Sequence, residues 1–142
     1  MPTLSAAVLC LVVGISDGDT VKLRCGEADE ERVRLLQIDA PERKQPFGSK
    51  AKDMLSELAY QKQVQLERGG TDRYGRTLGR LSLDGTDLNL EMVRRGFAWC
   101  YRKYLTDQGC LAIEADARDH RRGLWADAAP VPPWEFRRPT AP

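Results

Sequence analysis

At 142 residues the chain has room for one domain around a single core. Its 42% hydrophobic and 30% charged residues are the balance of an ordinary globular chain, and a net charge of +1 does not by itself mark a nucleic-acid binder. No apolar run approaches the roughly 20 residues of a membrane span, and one histidine with four cysteines at no zinc-like spacing argues against His/Cys metal chemistry and a Ser-His-Asp triad.

The run Leu4 to Val13 has the apolar character of a signal-peptide core, but it lacks a basic flank and continues into Asp-Gly-Asp-Thr, so it reads as the first strand. Val8 to Ile15 is strand-like, Ser16 to Asp19 has turn chemistry, and Thr20 to Cys25 alternates again, which makes a hairpin. An acidic loop, Gly26 to Glu31, leads into Arg32 to Glu42. There Val33 and Leu35 point one way, and Arg34, Leu36 and Ile38 the other. Pro41 ends the pairing because it has no N–H to give. After a loop, Arg43 to Gly48, Ser49 is expected to cap a helix to about Tyr60, with Ala51, Met54, Leu55 and Leu58 on one stripe. Val64 to Leu66 reads as a short strand, Gly69 to Asp72 as a loop, and Arg73 to Leu83 as extended. A turn at Asp84-Gly85 precedes a short helix, Asn89 to Arg95, closed by Gly96. Phe97 to Tyr101 is strand-like, Gln108 to about Arg122 helical, and the proline-rich tail from Pro130 extended. The residues alone predict a small β-barrel with helices.

Arg34 lies inside an apolar strand, where a charge is costly unless it is paired or faces a site. Asp19 and Asp39 each sit where a strand meets a turn. Two carboxylates and a backbone carbonyl suit a hard cation with oxygen ligands, Ca²⁺ before Mg²⁺. Glu42, three residues past Asp39, is near enough to hold a water beside it, and Arg34 and Arg76 offer planar forks for phosphate oxygens. Each residue also has a plainer reading. Asp17 and Asp19 are ordinary turn residues, and Asp39 caps a turn before a proline. Arg34 pairs with the acidic loop, and Tyr74 and Arg76 are strand residues. Trp99, Trp125 and Trp134 read as packing residues and His120 as a solvated helix residue.

Three segments in order, Asp17 to Leu23, Arg34 to Glu42 and Thr71 to Arg76, together resemble the staphylococcal nuclease (thermonuclease) family. Asn89 to Gly96 resembles the family's helix after the barrel hairpin, and Glu114 to Trp125 its last helix. The likeness spans residues 8–126, with 127–142 as a proline-rich tail. It implies an α+β, mainly β fold: a five-stranded OB-type barrel with three helices. It also implies a Ca²⁺-dependent endonuclease acting on DNA and RNA and leaving 3′-phosphate ends. At the matching positions Asp19, Asp39 and the Ala40 carbonyl bind the metal, and Glu42 serves as general base or water-orienting group. Arg34 and Arg76 stabilise the phosphate, while Tyr74 and Tyr104 hold the nucleotide. Arg102 stands where the staphylococcal enzyme has a tyrosine and is expected to bind substrate, since a guanidinium also stacks on a base. The loop after Glu42 is shorter than in that enzyme. The alternative is a non-catalytic nucleic-acid-binding module on the same barrel. The expected partners are DNA and RNA, not a membrane, for a monomeric protein.

If the hairpin turn is centred on Gly18, Cys10 and Cys25 face each other, about 4.5 Å apart at Cα in a non-hydrogen-bonded pair and within disulfide reach. A reduced pair is the alternative, and Cys100 with Cys110 is a second candidate bridge. A disulfide would imply an oxidising compartment. The expectation is therefore a secreted or periplasmic protein whose export signal lies outside this chain, with the cytoplasm as the alternative.

Overall fold

A computed structural model of the chain describes residues 4–105 and 107–138. Strands β1 (Val8–Asp17) and β2 (Thr20–Arg24) form the antiparallel hairpin, and β3 (Glu31–Leu35) adds antiparallel to β2. Strand β5 (Gln63–Thr71) returns along β1, and β6 (Thr77–Leu83) along β5. The ring closes where β6 runs parallel to β3, Val33 opposite Thr77 and Leu35 opposite Gly79. This is a five-stranded OB-type barrel, as the sequence implies. Two short strands, β4 (Ile38–Asp39) and β8 (Trp99–Cys100), pair beside it, and β7 (Thr86–Asp87) completes a hairpin with β6.

The barrel interior is filled from alternate positions of each strand: Val12, Val21, Leu23, Val33, Leu35, Leu66 and Leu81 are all at most 1% exposed. Burying one such Val or Leu contributes about 1.5–3 kcal/mol. Helix α1 (Gly48–Ala59) covers one opening with Ala51 and Leu55, and α2 (Leu88–Arg94) adds Leu88, Met92 and Val93 to the same core. Helix α3 (Gly109–Asp119) and a 3₁₀ turn at Gly123–Ala126 build a smaller cluster of Trp99, Ala117, Leu124 and Trp125. Disulfides join Cys10 to Cys25 and Cys100 to Cys110. The hairpin turn lies half a residue later than expected, with Asp17 opposite Thr20. Two irregularities in β1 restore the register that sets Val12 against Leu23.

Other boundaries also differ from the expected ones. The central strand does not run through to Ile38: Gln37 takes φ 69° and makes a turn between β3 and β4. Helix α1 starts two residues earlier than a Ser49 cap requires, behind Phe47 at φ 70°. Strand β5 continues through Gly69 and Gly70, because its pairing resumes at Thr71 with Thr77 after a bulge. Residues 73–76 form a turn rather than a strand, with one oxygen of Asp72 accepting from the N–H groups of both Tyr74 and Arg76 at 2.9 Å. Helix α3 stops at Asp119, with His120 as its C-cap. The tail is not simply extended. Pro133–Phe136 forms one helical turn, α4, and Trp134 packs against the tryptophan cluster. The tail's last four residues lie outside the described ones.

Candidate active site

The turn between β1 and β2 meets the corner after β4 with no room to spare. A Cβ on Gly18 would come within 2.7 Å of the Ala51 Cβ and 2.9 Å of the Ala40 Cβ, so glycine is what lets the two loops touch. The contact sets Asp19 against the corner: one of its carboxylate oxygens accepts from the Ala40 N–H at 2.8 Å, the other from the Thr20 hydroxyl at 3.0 Å. Asp39 is wholly buried one residue earlier.

Arg34 lies between these carboxylates. Its Nη1 donates to the carbonyls of Leu35 and Ile38 at 2.8 and 2.9 Å, which is possible because Gln37 turns the chain back over it. Its Nη2 donates to Asp39 at 3.1 Å and stands 3.4 Å from Asp19. Of the five N–H donors of a guanidinium, Nε–H makes no hydrogen bond among the described residues, and the second on Nη2 has only the longer approach to Asp19. The Leu36 turn is pinned in its own right: its N–H donates to the Gly79 carbonyl at 2.9 Å, and buried Asn89 donates to the carbonyls of Leu36 and Gly79 at 3.0 and 3.1 Å.

Glu42 begins the loop that follows. The Gln45 side chain accepts from the Glu42 N–H at 3.0 Å, and Gly48 passes so close to the Glu42 carbonyl that a Cβ there would be 1.8 Å from it. This packing fixes the Glu42 backbone while its carboxylate stays partly exposed.

A second guanidinium reaches the same carboxylates from the tail. Arg137 donates to both oxygens of Asp39, at 3.1 and 2.6 Å, and to Glu42. Tyr101 lies under both arginines, its ring centre 6.0 Å from the Arg34 Cζ and 5.9 Å from that of Arg137. Three carboxylates, Asp19, Asp39 and Glu42, thus meet two guanidinium groups. Burial pushes the Asp39 carboxyl up to about 6, against the hydrogen bond from Arg137 and the charge of Arg34, with Asp19 adding to the rise. Burial, then Asp19, also raises Asp17.

The remaining residues singled out in the sequence are placed differently. Arg76 pairs with Asp72 at 2.7 Å, its guanidinium 5.4 Å from the exposed Tyr74 ring. Tyr104, also exposed, meets Tyr101 edge-on at 5.1 Å between ring centres. Arg102 is exposed but its guanidinium is engaged, donating to buried Glu114 and to the Cys100 carbonyl. Tyr101, Asn89 and Arg137 escaped the sequence reading. A tyrosine beside the expected strand end was the only available signal for the first. A lone asparagine and a tail arginine gave none.

The chain is similar to known proteins over most of its length. Residues 32–127 match the model of the family described as staphylococcal nuclease homologue. A Haemophilus influenzae protein described as an uncharacterised endonuclease is 46% identical over 129 residues, which is 91% of this chain and 72% of the relative. An Escherichia coli protein of the same description is 43% identical over 96% of this chain and 89% of its own length. A Shigella flexneri protein named micrococcal nuclease is 43% identical over 89% and 79% respectively.

Proposed function

Because the chain belongs to the staphylococcal nuclease family, we propose that it is a Ca²⁺-dependent endonuclease that hydrolyses phosphodiester bonds of DNA and RNA and leaves 3′-phosphate ends. The observation that carries the reading is the convergence of Asp19, Arg34, Asp39 and Glu42 at one barrel corner. The donors suit a hard cation. Asp39 and Glu42 already share a positive group, the Arg137 guanidinium, and Asp19 offers a third carboxylate beside them. Asp19, Asp39 and the Ala40 carbonyl would hold the ion. When bound, it supplies positive charge for the phosphate and for the attacking oxygen.

The protein's own groups do the rest. Glu42, on a backbone locked by Gln45 and Gly48, orients the attacking water and takes its proton. Arg34 directs its guanidinium, through Nε–H, at a phosphate oxygen, where negative charge grows as the bond breaks. Arg76 exchanges Asp72 for a second phosphate oxygen. Tyr74 and Tyr104 are exposed rings available to the nucleotide. The two disulfides support placement in an oxidising compartment, secreted or periplasmic. Incubation with plasmid DNA tests the activity: cleavage is expected with Ca²⁺ and none with a chelator. DNA retention without cleavage at any Ca²⁺ concentration would replace this reading with that of a binding module.

A further inference from the structure

Arg137 is a cation on carboxylates that the proposed reaction needs free. It engages Asp39 with both of its terminal nitrogens and reaches Glu42 with one of them. A bidentate guanidinium–carboxylate pair is among the stronger contacts available to a side chain, and here it uses the oxygens a divalent ion would bind. Asp39 is fully buried, so withdrawing Arg137 without replacement leaves a buried charge under-compensated. The guanidinium therefore leaves most readily when another cation takes its place.

The segment carrying it is built to stay down. The side-chain amide of Gln45, whose carbonyl oxygen fixes Glu42, donates to the carbonyl of Val131. Pro133 is buried, and the indole of Trp134 stacks on Tyr101 with centres 5.6 Å apart and planes 6° from parallel, its edge toward Trp99. Pro130, Pro132 and Pro133 stiffen the approach, so closing the tail loses little chain entropy. Trp134 covers an aromatic face beside Arg34, and Arg137 covers the carboxylates.

We infer that residues Val131–Arg137 form an autoinhibitory latch: Arg137 occupies Asp39 in place of the divalent cation and ties up the Glu42 carboxylate, and Trp134 covers Tyr101, so the cation must displace the tail before the site can act. The inference rests on the Ca²⁺-dependent reading above. The latch and the metal compete for the Asp39 carboxylate. Apparent Ca²⁺ affinity is then lowered by the fraction of molecules that are closed, about tenfold for a latch closed nine-tenths of the time.

The test is calorimetric titration of Ca²⁺ into the full chain and into Arg137→Ala, each with and without a nucleoside 3′,5′-bisphosphate. Hydrogen–deuterium exchange of residues 131–138 is followed alongside. Arg137→Ala is expected to bind Ca²⁺ about tenfold more tightly, and Ca²⁺ is expected to speed exchange of the tail in the parent. Trp134→Ala, checked for native circular dichroism, is expected to shift Ca²⁺ affinity in the same direction through loss of the anchor. Equal Ca²⁺ affinity in parent and Arg137→Ala, or tail exchange indifferent to Ca²⁺, overturns the latch and leaves the nuclease reading standing. Slower cleavage by Arg137→Ala at saturating Ca²⁺ also overturns it, because the guanidinium would then serve the substrate. If no form of the protein binds Ca²⁺ or cleaves DNA, the nuclease reading fails and the latch with it.

Discussion

Glu42 and Arg34 differ in what their loss removes. Among the described residues, the Glu42 carboxylate hydrogen-bonds only Arg137, and its backbone is held by other groups. Glu42→Gln should therefore leave the fold intact and lower single-turnover cleavage of a short labelled DNA by about 10²–10⁴-fold, the usual worth of general-base assistance. Affinity for an uncleaved analogue should change little. Unchanged cleavage would remove Glu42 from the mechanism. Arg34 also holds the corner together through the carbonyls of Leu35 and Ile38. Arg34→Lys keeps the charge but cannot reproduce the fork. It is expected to lose about 10²–10³-fold in turnover and to melt at a lower temperature as well. Asp19, Arg34, Asp39 and Glu42 were legible in the sequence because charges at strand ends and inside an apolar strand need a reason. The positive φ of Gln37 was not, because the apolar alternation continues through Leu36 and Ile38 and hides the turn.

At the scale of elements, one buried carboxylate ties β8, the 102–104 turn and α3 together. Glu114 accepts from the Cys100 N–H at 2.7 Å, from Arg102, and from Arg118 at 2.9 Å. Burial pushes its carboxyl up. Arg102, the Cys100 amide and Arg118 outweigh that and hold it below its usual 4.5. A carboxyl depressed in the folded state contributes stability that is complete above its unfolded value and is lost as pH falls through the folded one. Glu114→Gln should therefore cost about 1.5–3 kcal/mol near neutral pH, the worth of hydrogen bonds to a charged group, since the arginines left behind stay partly solvated. The gap to the parent should narrow steadily below about pH 4.5. Denaturant unfolding between pH 3 and 7 checks this, and a gap that does not vary with pH would contradict it. The helices were legible from their apolar stripes, but α1 shows how tertiary packing moves a boundary. Ser49 is a good cap by type, yet Gly48 must approach the Glu42 carbonyl, so the helix starts earlier, behind Phe47.

For the molecule as a whole, the two disulfides tie the barrel's first hairpin and the wall behind the tyrosines. The Cys10–Cys25 bridge closes a 15-residue separation, for which loop entropy gives about 3 kcal/mol. Reduction should lower the melting temperature by several degrees and, through Cys100–Cys110, loosen the segment that carries Tyr101 and Tyr104. Melting curves with and without reductant decide it, and coincident curves would show that the bridges contribute nothing. The barrel itself was readable from strand spacing and the ordered motifs. The tail was not. Proline-rich composition predicts an extended run, and nothing local reveals that Arg137 meets Asp39 across 98 residues.

The one parallel pairing among the described residues, β3 with β6, acts as a seam. The Gly79 carbonyl that accepts from Leu36 lies on it, and Asn89 clasps both sides. A local opening there unzips the barrel and dissolves the carboxylate corner in a single event. Breathing of this seam and loosening of the carboxylate corner are therefore the same fluctuation, and the Arg137 contacts that grip the corner also staple the barrel shut.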